Sequence, residues 1–132
     1  MTRPNKQERR TPPIILSEAL ERVGGSEGFL EELLNLYADE FRTTLSQIQE
    51  AAKAANFKRL EELGHYLKGA SSNLSLVFLQ SACSDLEQAA RIKDMKRIRA
   101  GAMTLEREFQ RLQNFRKRGW KSAVARVPLL SA

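Results

Sequence analysis

His65 is the only histidine in 132 residues, and Lys68 and Gly69 follow it at the three- and four-residue spacings that bring neighbours together on a helix. An exposed imidazole has an ordinary pKa of about 6.5, so near neutral pH most of it is uncharged and nucleophilic. An ammonium beside it opposes protonation and neutralises part of the charge on a phosphoryl group attached to the ring. Glycine costs about 1 kcal/mol against alanine inside a helix, yet it leaves a bare ledge on which a large partner can bring its own reactive group close. Together these residues suit group transfer between two proteins. One histidine and one cysteine, Cys83, supply neither a metal-ligand cluster nor a nucleophile–base triad.

The element that carries these residues is a helix. With Asn56 as a candidate cap, Leu60, Leu63, Leu67, Ala70, Ser71 and Leu74 share one sector at about 100° per residue, and His65, Lys68, Gly69 and Ser72 look away from it. The same periodicity recurs along the chain. Residues 14–23 predict a short helix closed by Gly24 and Gly25. Ser26 can cap a long helix with Leu30, Leu34, Tyr37, Phe41, Leu45, Ile48 and Ala52 inward. Another helix is predicted from about Leu76 to Ile92, with Leu79, Ala82, Cys83, Leu86 and Ala90 inward. Asp94 can cap the last, which repeats Ile98, Ala102, Leu105, Phe109 and Leu112. No strand signal interrupts them, and residues 14–127 contain no proline. The fold expectation is all-α: an up-down-up-down four-helix bundle with a short additional N-terminal helix. Its expected organisation is a flexible leader over 1–13, the bundle over 14–118 and a C-terminal tail over 119–132. Whether Trp120, Val124, Leu129 and Leu130 fold back or serve an interaction is open.

The formal net charge of +6 is unevenly spread. Residues 17–62 hold ten acids and five bases, a balance of −5, leaving +11 for the rest of the chain. Basic residues lie at the N-terminus and in the last third, and no familiar nucleic-acid motif is visible among them, so solvated tails explain them better than a nucleic-acid face. The unpaired cysteine, the polar N-terminus and the absence of a long apolar run fit a soluble, cytoplasmic protein with no membrane contact.

HYLKGASSNLS, residues 65–75, resembles the signature of histidine-containing phosphotransfer (HPt) domains: His-x-Leu-Lys-Gly-Ser-Ser/Ala, then a Leu-Gly pair. EALERVGGSEGFLEELLNLYADEF resembles the usual lead-in and CSDLEQAA the helix that follows, so the similarity covers about residues 14–115. The resemblance implies a carrier in a multistep phosphorelay. His65 would accept a phosphoryl group from an aspartate on the receiver domain of a hybrid sensor histidine kinase and pass it to an aspartate on a response regulator. Lys68 would be the electrostatic stabiliser and Gly69 the clearance position. No cofactor is expected on this domain and Mg²⁺ belongs to the partner receiver. A monomer without kinase activity of its own is expected, with access to the nucleus if the cell has one. Ser75 replaces the glycine of the Leu-Gly pair, and Val77 stands where some members have a polar residue. Ile14, Ile15, Leu20 and Leu76 are candidates for an apolar docking patch around His65, and each is also a candidate core or end-cap residue; on an extended helical wheel Leu76 falls close in angle to His65.

Three other readings share some of these features. A sensor-kinase dimerisation domain also carries a histidine on a bundle, but usually with an acid after it and a proline further on, where this chain has Tyr66 and none before Pro128. A docking module that binds receivers without carrying phosphate would differ only in the fate of His65. A basic nucleic-acid-binding bundle would depend on the C-terminal bases and on salt.

Overall fold

Helix ends, more than helix interiors, set this architecture. The computed structural model describes residues 11–120 and contains five α-helices: α1 Leu16–Arg22, α2 Glu27–Lys53, α3 Phe57–Asn73, α4 Val77–Arg91 and α5 Met95–Lys117. No strand occurs among the described residues. Ser26, Asn56 and Asp94 accept the backbone N–H groups of Phe29, Arg59 and Arg97, each satisfying a donor that the first turn leaves unpaired.

The C-termini of α1 to α4 all close in one way. Gly25 N donates to Leu20 O at 2.7 Å, Asn56 N to Ala51 O at 2.9 Å, Leu76 N to Ser71 O at 3.0 Å and Asp94 N to Ala89 O at 2.9 Å. In each turn the preceding residue, Gly24, Ala55, Ser75 or Lys93, has a positive φ between 51° and 66°, the left-handed conformation of the Schellman motif. At Asn56, Leu76 and Asp94 the residue that closes one helix is also the N-cap of the next. Turns this short force successive helices antiparallel, so α2 to α5 close into a bundle in which α5 returns to α2.

The core is the predicted stripe of each helix. Leu30, Leu34, Phe41, Ile48, Leu60, Leu67, Leu79, Leu86, Ile98, Leu105 and Leu112 are buried, and the Phe41 and Phe109 rings stack at 4.1 Å. Leu45, Ala52, Ala70, Ala102 and Phe109 lie at its edge, partly buried. Cys83 is buried as expected, and burial pushes its thiol up to about 12. It is packing, not a nucleophile.

α1 is strapped over the C-terminal end of α3. Arg22 donates to the carbonyls of Ser72 and Asn73 at 2.6 and 3.0 Å, Ile15 N donates to Ser75 O at 3.1 Å, and Ser75 Oγ donates to Glu18 Oε1 at 3.2 Å. For two of the docking candidates the core alternative holds. Ile14 and Leu76 are core residues, 3% and 0% exposed, and Ile15 and Leu20 are half-buried. Continuing the α3 wheel would put Leu76 beside His65, but the chain leaves that helix at Asn73 and reverses through Ser75.

The far end of α5 is tied to the first turns of α2. Trp120 is buried and its Nε1 donates to Glu31 Oε2 at 2.8 Å, while Arg116 pairs with Glu31 Oε1 at 2.8 Å. Arg111 and Arg107 converge on buried Glu108 at 2.9 and 3.7 Å, and Arg111 also lies over the Phe78 ring and donates to the Thr11 carbonyl. Much of the basic excess on α5 is thus spent inside the fold. Residues 1–10 and 121–132, which include Val124, Leu129 and Leu130, lie outside the described residues.

Candidate functional site

His65 stands on the outer face of α3 because Leu60, Leu63, Gly64, Leu67 and Ser71 take the inner one. Gly64 has a separate task. A Cβ there would meet Glu87 N at 3.3 Å and Cys83 O at 3.4 Å, so its absence lets the α3 and α4 backbones approach at this level. That approach brings Glu87 of α4 beside His65.

The Glu87 carboxylate is the hub of the site. Its Oε2 lies 3.2 Å from His65 Nδ1 and 3.2 Å from Lys68 Nζ, and its Oε1 accepts from Arg91 Nη2 at 3.2 Å. Arg91 Nε reaches on to Glu61 Oε1 at 3.1 Å. Burial works against ionisation of Glu87, but hydrogen bonds and charge from Lys68 and His65 outweigh it and hold the carboxyl below its ordinary value. An ionised carboxylate can only accept, so Nδ1 of His65 carries the proton in this contact. Nε2 of the neutral ring is then left with its lone pair. The side chain is 73% exposed, which makes Nε2 accessible to a reagent from solution.

Gly69 lies in the open: nothing is within 4 Å of where its Cβ would stand. No internal packing requires a glycine there, in contrast to Gly64. Lys68, by comparison, spends its charge on Glu87 as well as standing near the imidazole. Beneath the site Tyr37 donates to Ser71 Oγ at 2.8 Å, and Ser71 donates to the Leu67 carbonyl. Burial raises the Tyr37 hydroxyl well above the ordinary tyrosine range, so it anchors α2 to α3 and stays neutral.

Two grooves flank the α3 ridge. On the α4 side a cavity of about 430 Å³ is lined by Lys58, Glu61, His65, Glu87 and Arg91. On the α2 side lies a cavity of about 700 Å³, and Leu36, Tyr66 and Phe29 of α2 and α3 are 64%, 53% and 50% exposed. Leu36 and Tyr66 are thus the exposed apolar residues that line the α2–α3 groove, whereas Ile14 and Leu76 are buried.

Of the residues singled out from sequence, the structure brings His65 and Lys68 together on Glu87 and leaves Gly69 bare beside them. Glu87, Arg91 and Gly64 went unnoticed. The available signal is faint: Glu87 stands beside Leu86 of the inward stripe, with Arg91 four residues on. Among the described residues no group of three or more His, Cys, Asp or Glu side chains could hold a metal ion, and no helix is long and apolar enough to cross a membrane.

Comparison with known proteins agrees with this geometry. The family model described as Hpt domain matches residues 32–116. Multistep phosphorelay regulator 1 of Schizosaccharomyces pombe is 31% identical over 80 residues, 61% of this chain and 26% of that protein. Phosphorelay intermediate protein YPD1 of Candida albicans is 26% identical over 73 residues, 55% of this chain and 40% of that protein. The chain thus spans less than half the length of these curated relatives. The crystal structure of histidine-containing phosphotransfer protein B (HptB) from Pseudomonas aeruginosa superposes with a TM-score of 0.74 at 26% identity, covering 82% of this chain and 95% of that one.

Proposed function

The chain belongs to the Hpt domain family, and from that premise we propose that it is a histidine phosphotransfer protein of a multistep phosphorelay, with His65 as the residue that carries the phosphoryl group. The observation that carries this reading is the exposed imidazole with Nδ1 on the Glu87 carboxylate, which leaves Nε2 as the ring nitrogen available for transfer.

In the transfer, the Nε2 lone pair attacks phosphorus of an aspartyl phosphate on a receiver domain. The N–P bond forms, the P–O bond to the aspartate breaks, and its electron pair returns to the receiver's carboxylate. Nδ1 keeps its proton, so the ring becomes cationic as the bond forms. Glu87 stabilises that charge from a fixed position, as a buried acid does for a catalytic imidazolium. Lys68 stands where it can offset charge on the attached phosphoryl group, and Gly69 leaves room for the receiver. Transfer onward to a response regulator is the same step reversed on a second aspartate.

The Mg²⁺ in this scheme is held by the receiver, which carries the acyl phosphate it neutralises, and this domain needs no cofactor of its own. It works as a monomer in the cytoplasm, with passage to the nucleus where there is one, and has no kinase activity alone. Incubation with a labelled phospho-receiver and Mg²⁺ tests the proposal. Wild type takes up label and His65→Gln takes up none; uptake by the variant would put the site elsewhere.

A further inference from the structure

The α2–α3 groove beside His65 has a chemistry that the transfer step does not use. Its floor is Leu63, one wall carries Leu36 and Glu40, the other carries Glu62 and Tyr66, and Asp39 lies at its rim. Asp39 and Glu62 each face an arginine on their own helix, Arg42 at 3.5 Å and Arg59 at 3.9 Å. Glu40 does not. Among the described residues its partner is the Tyr66 hydroxyl, which donates to Oε1, and no cation lies within ion-pair distance of it. Tyr66 is the next residue after His65, and Glu62 lines both this groove and the one that holds the imidazole.

A half-exposed aromatic ring, an exposed leucine and a carboxylate without a counter-ion form a site for one long cationic side chain. The aliphatic stem of a lysine or arginine packs on Leu36 and Tyr66 while its head reaches Glu40, and the tyrosine face adds attraction for the charge. A neutral polar side chain would leave the carboxylate uncompensated, and an acidic one would be repelled.

Resting on the phosphotransfer reading of His65, we propose that this groove is a specificity pocket for the receiver domain, filled by a lysine or arginine on the receiver's docking face, with Glu40 as the residue that selects it. Continuity with His65 is what ties the groove to this partner. A receiver positioned to deliver phosphorus to Nε2 sits over the α3 ridge that carries both His65 and Tyr66, and on the opposite flank Glu87 and Glu61 already have Lys68 and Arg91 as counter-ions.

The test uses two phosphoryl donors on the whole chain. Phosphoramidate, a small donor, reports on His65 alone; a panel of phospho-receivers reports on docking as well. For Glu40→Lys, kcat/KM with receivers that phosphorylate wild type should fall about tenfold or more through KM, because like charges then meet across the contact. Glu40→Gln should lose part of the salt dependence of that rate, and both variants should accept phosphate from phosphoramidate at the wild-type rate. Receiver kinetics unchanged by Glu40→Lys would overturn the pocket while leaving the His65 reading intact. Faster transfer by Glu40→Lys would also overturn it, pointing to the chain's own basic N-terminus as the occupant. Wild type labelled by phosphoramidate but by no receiver would remove the partner class and the pocket together. No labelling of His65 by either donor would remove the phosphotransfer reading itself.

Discussion

At the residue scale, the proposed transfer chemistry rests on an acid that has no signature in the sequence. His65, Lys68 and Gly69 are legible because helical spacing alone puts them side by side. Glu87 is not, since its place depends on the register between α3 and α4, and that register is set by the missing side chain of Gly64. One dimension holds the periodicity of each helix and nothing about which rung meets which. The Glu87 carboxyl lies below its ordinary value in the folded protein, so its stabilising contribution is present at pH values above its unfolded value and is lost as the pH falls through the lower folded one. Glu87→Gln should therefore destabilise the protein by about 1–2 kcal/mol at neutral pH, and the gap should close at acid pH, below the ordinary carboxylate range, as the native carboxyl protonates. Denaturant titrations at both pH values measure it. A gap that persists unchanged in acid would mean that shape, not charge, accounts for the effect.

At the element scale, most of the fold is readable. The three N-caps, the apolar stripes and the short connections all follow from residue type and spacing, and the helices lie where those signals put them. What the spacing hides is backbone handedness. Ala55, Ser75 and Lys93 sit in the left-handed conformation with nothing in their side chains to announce it. Ser75, in place of the glycine usual in HPt domains, is one of these, which gives that glycine a backbone reason. The same hidden turn is why Leu76 falls into the core. A left-handed L-residue costs roughly 1–2 kcal/mol, partly offset by the extra freedom glycine gives the unfolded chain. Ala55→Gly and Lys93→Gly should each stabilise the protein by about 0.5 kcal/mol or more, read as a higher denaturation midpoint with unchanged m-value. A fall in midpoint would show that these turns are not strained.

At the scale of the whole molecule, the bundle holds out the α3 ridge, which under the proposed function is the face that meets a receiver. Gly69 separates the needs of the fold from those of the encounter, because its missing side chain faces open space. Gly69→Arg should leave the stability unchanged or raise it by up to about 1 kcal/mol and leave phosphoramidate labelling of His65 intact, while transfer from a phospho-receiver drops by about tenfold or more through obstructed docking. Comparable rates from the receiver for variant and wild type would remove the clearance role. The most direct test of the central claim uses the single histidine. In a chain carrying ¹⁵N-labelled histidine and phosphorylated by a receiver, the ³¹P and ¹⁵N spectra should show phosphorus bonded to Nε2, with a proton retained on Nδ1 facing Glu87. Phosphorus bonded to Nδ1, or a phosphorylated chain whose imidazole signals are unchanged, would contradict it.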